Sequence, residues 1–206
     1  MNENSSSFPP STPPVSTLTS TSTSTLNSTL TSTSTFPDVL IGLLSRSADP
    51  RGWLTELFRA DVLEAAGMGE ARPAMAYLSM TRPDVTRGPH EHREQTDFFA
   101  FVGPSDFEVT LWDNRPGSPT CDRRETFVLG ASRPATLIVP PGVVHAYRNV
   151  GNVEGWVLNF PNRLYRGPDR KEPVDEIRHE DDPGTRFETE AKTKAGLMTE
   201  DRRRTR

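Results

Sequence analysis

Three of the four histidines in the chain stand in patterns that could bind a metal ion or move a proton. His90 and His92 form an H-x-H pair, and alternate residues of a strand point to one face, so both imidazoles can converge on one point. Asp97 follows shortly after this pair, and His145 lies much further along the chain. Three imidazoles and a carboxylate would provide donors suited to Zn, Fe, Mn, Ni or Cu. The alternative is an exposed histidine pair in a loop and a packed, purely structural His145.

Short extended segments separated by turn residues must position these side chains. Only Ala60–Ala66 has helix-forming composition, and Gly67 follows it as a helix-ending residue. Many short strands with one helix predict an antiparallel sandwich or barrel. The candidate strands are Val39–Leu44, Trp53–Phe58, Ala74–Met80, Phe98–Val102, Phe107–Trp112, Thr126–Leu129, Ala135–Val139, His145–Arg148 and Trp156–Phe160.

Composition divides the chain into three parts. Residues 5–35 are about two-thirds Ser and Thr, and such a segment buries too little apolar surface to offset its ordering entropy. We therefore predict a disordered extension over residues 1–37, one domain over residues 38–183 and a charged, disordered tail over residues 184–206.

Several classes of protein are disfavoured by the sequence. No apolar run approaches the roughly 20 residues that span a bilayer, and the N-terminus has neither the basic nor the apolar part of a secretory signal. The net charge of −4 gives no general attraction to nucleic acid. The single cysteine, Cys121, fits a reducing compartment. We expect a cytoplasmic protein that binds neither membrane nor nucleic acid.

Two motifs around the histidines resemble the cupin superfamily. Residues 140–149 read P-x-G-x-x-H-x-x-x-N, which matches the second cupin motif at every fixed position. The first motif matches in its H-x-H pair, but Asp97 stands where the family usually has Glu, and Gly103 comes one residue early. This resemblance implies an all-β, cupin-type antiparallel double-stranded β-helix, or jelly-roll barrel. It also makes His90, His92, Asp97 and His145 candidate metal ligands.

A narrower resemblance, to the dTDP-4-dehydrorhamnose 3,5-epimerases, covers the whole predicted domain. It implies an isomerase that abstracts a proton alpha to the ketone of a 4-keto-6-deoxy nucleotide sugar, with His90 as the base and without a cofactor. It further implies that Arg51 and Arg87 bind phosphate, that Glu56 and Tyr165 contact substrate, and that the protein is a homodimer. The matching stretches are Asp49–Glu56 (D-x-R-G-x-F-x-E), Arg87–His90 (R-G-L-H), Trp112–Thr120 (D-x-R-x-G-S-P-T) and Pro141–Ala146 (P-x-G-x-x-H-G).

The sequence departs from this family at several functional positions. Asp97 aligns with the lysine that stabilises the enolate, and Asn159 aligns with the tyrosine acid, although an amide cannot deliver a proton. The aspartate that orients the catalytic histidine has no clear counterpart, and we assign it to Asp181 or Asp182. His179, in the same charged run, is expected to face solvent. The other replacements are Met75 and Tyr77 for a Gln and an Asn, and Leu54 for a Phe.

Three functions therefore stay open at the level of sequence. The first is an epimerase acting on a keto-deoxy nucleotide sugar. The second is a metal-dependent cupin of other chemistry, such as an oxygenase, isomerase or lyase of a small acid or sugar, because the substitutions leave a set of metal donors. The third is a module that binds a sugar without transforming it.

Overall fold

The computed structural model describes residues 34–189, which contain twelve β-strands and one α-helix. The helix, α1, spans Ala60–Ala65, and Gly67 follows it with φ +72°. The strands are β1 Leu40–Leu43, β2 Ser47–Asp49, β3 Gly52–Leu54, β4 Tyr77–Thr81, β5 Thr86–Glu91, β6 Asp97–Gly103, β7 Asp106–Asp113, β8 Arg124–Gly130, β9 Ala135–Val139, β10 Val143–Asn149, β11 Gly155–Asn159 and β12 Ile177–Arg178.

The strands form two five-stranded antiparallel sheets and a small hairpin. The first sheet has the order β1-β9-β6-β11-β4, and the second has the order β12-β5-β10-β7-β8. The hairpin consists of β2 and β3. Sequence neighbours such as β5 and β6 lie in different sheets, so the chain crosses repeatedly from one sheet to the other. This arrangement confirms the predicted all-β jelly-roll fold with one short helix.

The main hydrophobic core lies between the two sheets. Phe99 and Phe101 of β6 and Phe107 and Leu111 of β7 are buried within it, and Tyr147 of β10 packs edge-on against Phe101 and Phe107. Aromatic pairs in this geometry add to the apolar burial that stabilises the barrel. Asp97 of β6 and His145 of β10 lie on the same strand faces as the core residues Phe99 and Tyr147.

Two strand predictions were incomplete. The segment with Gly88 and Pro89 was not assigned to a strand, because both residue types disfavour sheet interiors. It nevertheless belongs to β5, where the residues on either side pair with β10. The predicted strand Trp53–Phe58 ends at Leu54.

Packing continues beyond both predicted ends of the domain. Phe36 is buried in the main core, and Phe187 packs against Trp112 with 5.8 Å between the ring centroids. The predicted disordered segments otherwise lie outside the described residues. Within residues 34–189 no helix has both the length and the apolar character needed to cross a bilayer.

Candidate functional site

Adjacent strands of the second sheet place two of the histidines side by side, with their ring planes perpendicular. His90 of β5 is the direct cross-strand partner of His145 of β10, and the centroids of their rings are 6.3 Å apart. Gly88 makes this pairing possible, because a Cβ at this position would lie 2.7 Å from the carbonyl oxygen of His145. Its φ of +86° also favours glycine. The R-G-P-H stretch thus brings β5 close against β10.

Two glutamates flank the His90 ring. Nε2 of His90 lies 2.6 Å from Oε1 of Glu180, and Nδ1 lies 3.4 Å from Oε1 of Glu176. Both glutamates come from the segment around β12, whose Arg178 pairs with His90 in the sheet. Because a carboxylate only accepts hydrogen bonds, Nε2 donates to Glu180, and in the neutral ring Nδ1 then carries the lone pair.

Burial and the neighbouring His145 lower the pKa of His90, and they outweigh the opposing effect of the two glutamates. A lowered pKa keeps the imidazole neutral near pH 7, which is the state that accepts a proton. Since the side chain is only 21% exposed, solvent screens these effects weakly. His90 therefore has the protonation state and the supporting carboxylates of a general base.

The expectation that Asp181 or Asp182 orients His90 was wrong. Asp181 pairs with Arg178 at 3.2 Å, and Asp182 accepts a hydrogen bond from the backbone N–H of Gly184. The backbone turns into a short 3-10 helix at this point, so Glu180 and not its neighbours faces the histidine. The acidic run after residue 175 was the available signal, but its register against β5 depends on the pairing of β12.

A buried carboxylate joins the other two imidazoles across the sheets. Oδ2 of Asp97, on β6, lies 3.1 Å from Nε2 of His92 and 3.3 Å from Nε2 of His145. Its second oxygen, Oδ1, accepts hydrogen bonds from Gln95 and Asn159, both at 2.9 Å. Asp97 is 2% exposed, so these four protein donors replace the water molecules that would hydrate an exposed carboxylate.

These contacts shift the titration of both partners. Burial alone would raise the pKa of Asp97, but the hydrogen bonds from His145 and His92 outweigh it and hold the pKa far below its ordinary value. Burial opposes the charged form of His92, but its hydrogen bond to Asp97 raises the pKa to about 9. Nδ1 of His92 also donates to the carbonyl oxygen of Asp175. His92 is therefore an imidazolium at neutral pH.

The structure gathers three of the four predicted metal ligands into one group. One donor atom from each of His92, Asp97 and His145 lies within 4.8 Å of the others, and all three residues are buried. His90 does not join them, because its Nε2 faces Glu180 instead. Two imidazoles and a carboxylate fit a divalent transition metal with an open coordination position. The proton shared between His92 and Asp97 would have to leave for a metal to bind.

The predicted substrate-binding residues are dispersed. Arg51, in the β2–β3 hairpin, pairs with Asp49 at 2.6 Å and has a side chain that is 90% exposed. Glu56 lies near α1, 3.5 Å from Arg59. Neither residue lines the cavity beside His92.

Arg87 and Tyr165 have different surroundings. The guanidinium of Arg87 donates to the hydroxyl of Thr81 and to the carbonyl of Met80, so it braces β5 against β4. Tyr165 lines a cavity of about 1060 Å³ that reaches His92 and Glu176. This volume suits a ligand of nucleotide size. The cavity thus joins Tyr165, but neither Arg51 nor Arg87, to His92 and Glu176, and His90 does not line it.

Sequence reasoning missed several members of the site. Tyr77 and Gln95 line the same cavity as Tyr165, and the hydroxyl of Tyr77 lies 2.8 Å from Nδ2 of Asn159. The expectation that His179 faces solvent was also wrong. Its Nε2 lies 2.8 Å from Glu91, and its ring lies 4.6 Å from that of Phe187.

Comparisons with known proteins agree with this architecture. Residues 33–162 match the family model described as dTDP-4-dehydrorhamnose 3,5-epimerase. The probable low-salt glycan biosynthesis epimerase Agl13 of Haloferax volcanii is 36% identical over 141 residues, which are 68% of this chain and 85% of that protein. The spore coat polysaccharide biosynthesis protein SpsL of Bacillus subtilis is 30% identical over 135 residues, or 65% of this chain and 85% of that protein.

Solved structures match the fold. NovW of Streptomyces spheroides, a 4-keto-6-deoxy sugar epimerase, superimposes with a TM-score of 0.61 at 24% identity, over 76% of this chain and 77% of that one. The two sheets, with histidines facing inward between them, define a cupin-type jelly-roll fold. Given the family match over most of the described residues and the identity to Agl13, the chain belongs to the dTDP-4-dehydrorhamnose 3,5-epimerase family.

Proposed function

We propose that the protein is an isomerase that epimerises a 4-keto-6-deoxy nucleotide sugar by removing a proton alpha to its ketone. The observation that carries the proposal is the neutral His90, held at 2.6 Å by Glu180. Membership of the epimerase family supports the reaction class, and NovW, described as a 4-keto-6-deoxy sugar epimerase, supports the substrate class.

The first half of the reaction follows from the geometry of His90. Its Nδ1 lone pair takes the proton from the carbon beside the ketone, and the electron pair of the broken C–H bond moves to the carbonyl oxygen as an enolate. The imidazolium that forms lies between Glu180 and Glu176, whose negative charges stabilise it. These glutamates take the role that the family assigns to an aspartate.

The cavity beside His92 is the proposed substrate site. Its lining includes Arg163, Arg166 and Arg170, whose guanidinium groups can hold a diphosphate, and Tyr165, whose ring can stack on a base or sugar. Because these residues line the same cavity as Glu176, a sugar linked to a bound diphosphate would extend toward His90.

The roles predicted for Arg51 and Glu56 are retained within a proposed homodimer. The hairpin that carries Arg51 exposes Trp53 and Leu54, which are 53% and 65% accessible, so it presents an apolar surface that a second copy could cover. Arg87 keeps its proposed phosphate contact from β5. We also retain the cytoplasmic location and a sugar nucleotide as the partner molecule.

A second candidate function, a metal-dependent cupin, is favoured by the grouping of His92, Asp97 and His145. A divalent ion held there would act as a Lewis acid toward a substrate carbonyl, a role that the lysine fills elsewhere in the family. Elemental analysis of protein purified without chelator tests this candidate. One metal per chain that is lost in His92→Ala, but kept in the control His179→Ala, supports it; metal-free protein rejects it.

An isotope experiment tests the epimerase. The protein is incubated with a 4-keto-6-deoxy nucleotide sugar in deuterated water, and proton NMR follows C3 and C5. We expect deuterium to enter one or both positions, and we expect His90→Asn, checked for folding by circular dichroism, to abolish the exchange. No deuterium with the folded wild-type protein would reject epimerisation of that substrate and leave the metal-dependent cupin and the sugar-binding module.

A further inference from the structure

Inversion at a carbon atom requires a proton donor on the side opposite the base. The position that aligns with the family's tyrosine acid holds Asn159, whose amide cannot supply a proton. The donor must therefore come from another residue near His90. The chain has three tyrosines, Tyr77, Tyr147 and Tyr165, which provide the candidate phenols.

Tyr77 occupies the place directly beside the missing acid. It lies on β4 and is the cross-strand partner of Asn159 on β11. Nδ2 of Asn159 lies 2.8 Å from the Tyr77 hydroxyl, so the phenol oxygen sits within hydrogen-bond reach of the residue that replaces the family's tyrosine. A phenol is therefore present at position 77, on the strand that pairs with the strand carrying position 159.

The surrounding hydrogen bonds leave the phenol proton of Tyr77 available. Asp97 accepts a bond from Nδ2 of Asn159, and since a carboxylate cannot donate, the amide nitrogen and not the amide oxygen faces it. The same Nδ2 faces Tyr77, so the Tyr77 oxygen is the acceptor in that bond. No other hydrogen bond to this hydroxyl exists within residues 34–189.

Tyr77 and His90 also lie in different sheets. Tyr77 belongs to the edge of the first sheet, whereas His90 lies near the edge of the second sheet. The contact between Asp97 and His145 connects the two sheets at 3.3 Å. Tyr77 lines the cavity that reaches His92 and Glu176, and its side chain is 47% exposed, so a ligand in this cavity can reach it.

The other tyrosines fit the role less well. Tyr147 is 8% exposed, packs among the core phenylalanines and shares a hydrogen bond with Ser79. It does not line the cavity. Tyr165 lines the cavity, but it lies in the segment after β11 rather than in the sheet, and no hydrogen bond links its hydroxyl to the buried cluster among the described residues.

We propose that Tyr77 is the catalytic acid of this epimerase, oriented by Asn159. This inference rests on the proposed function. After His90 has taken the proton, the enolate re-forms its ketone, and the electron pair of the carbon–carbon double bond forms a new C–H bond with the phenol proton of Tyr77. The proton enters on the face opposite His90, and Tyr77 is left as a phenolate. Water then returns a proton to Tyr77 and removes the one held by His90, so the net reaction is an isomerisation.

The environment of Tyr77 keeps the phenol protonated. Partial desolvation of the phenol and the nearby charge of Asp97 raise its pKa well above the ordinary value. The hydrogen bond from Asn159 opposes this shift only in part. The group therefore enters the reaction as an acid at neutral pH.

Loss of the acid has a signature that loss of structure would not give. In Tyr77→Phe, His90 still removes the proton and returns deuterium from solvent to the same face, so exchange continues without inversion. We expect the rate of inverted product to fall by about 100-fold or more, while deuterium enters unchanged substrate at a rate within about tenfold of the wild-type exchange rate. KM should change little. Tyr147→Phe removes a phenol outside the cavity and should keep the wild-type ratio of inversion to exchange.

The outcomes separate the two proposals. If the wild-type protein neither exchanges nor inverts the sugar, the proposed function fails before Tyr77 is tested. If the wild type inverts the sugar and Tyr77→Phe inverts it at a similar rate, or loses exchange and inversion together, the assignment of Tyr77 is overturned. A selective loss of inversion, with exchange retained and a wild-type melting temperature, supports it.

Discussion

Replacing Glu180 by glutamine isolates the electrostatic effect of this residue on His90. The side-chain amide oxygen of Gln can still accept the hydrogen bond from Nε2, so the orientation of the ring is preserved while the negative charge is lost. His90 and Glu180 side chains are 21% and 19% exposed and lie 2.6 Å apart. Such a partly buried, charged hydrogen bond is worth about 1.5 kcal/mol, which corresponds to about one pKa unit.

The direction of the pKa shift depends on which protonation state of His90 the glutamate stabilises. Glu180 stabilises the imidazolium, so its loss lowers the pKa of His90 further below the ordinary value of 6.5. Proton abstraction requires neutral His90. The acidic limb of the kcat/KM profile should therefore move to lower pH by about one unit. The plateau should fall, by at most about tenfold, because a base that is one pKa unit weaker abstracts the proton more slowly.

The assay is the pH dependence of deuterium incorporation into the nucleotide sugar between pH 4.5 and 8.5 (roughly two units on either side of an ordinary histidine pKa). The control is Glu154→Gln, an exposed residue in the turn before β11, which should leave the profile unchanged. An acidic limb that stays in place in Glu180→Gln, or that moves to higher pH, would refute the view that Glu180 tunes the base.

Three further predictions concern the stability of the site. Asp97→Asn removes the charge between two buried imidazoles and should lower the free energy of unfolding by about 3–5 kcal/mol in urea titrations at pH 7; a loss under 1 kcal/mol would contradict the buried pairing. The pKa of His92 is raised from 6.5 to about 9 in the folded protein. The stabilisation of the fold by protonated His92 is therefore complete below pH 6.5 and is lost as pH rises to about 9. The urea midpoint should therefore fall across that window, and the fall should be absent in His92→Gln. Gly88→Ala places a Cβ 2.7 Å from a backbone oxygen at positive φ, so it should cost about 1–3 kcal/mol and reduce exchange; a wild-type melting temperature would contradict the close approach of β5 and β10.

Local patterns in the sequence were sufficient to predict the architecture. Apolar and polar residues alternate from Phe107 to Leu111 of β7, a period typical of strands, and the strand predictions overlap observed strands. Strand β5 was missed because Gly88 and Pro89 are turn formers, yet tertiary pairing with β10 overrides this local preference. The two motifs around His90 and His145 likewise predicted a meeting of imidazoles that lie on paired strands in the structure.

The partners of each histidine could not be predicted in the same way. His90 and Glu180 are 90 positions apart, and their contact depends on how the short strand β12 pairs with β5. A shift of one residue there would have presented a different acid of the same run. His92 and His145 contact Asp97, whereas His90 contacts the two glutamates. This difference in partners also depends on where β5 ends.

The sequence by itself determined the class of fold, the family and the histidines of the candidate site. Strand periodicity, turn residues and motif spacing are properties of neighbouring positions in the chain. Only the tertiary structure decided that Glu180 supports the base, that Asp97 is buried among four donors, and that Tyr77 stands opposite Asn159. The physical reason is that a side chain's charge and hydrogen bonds are set by residues on other strands, and the register of those strands is fixed only when the two sheets close around a common core.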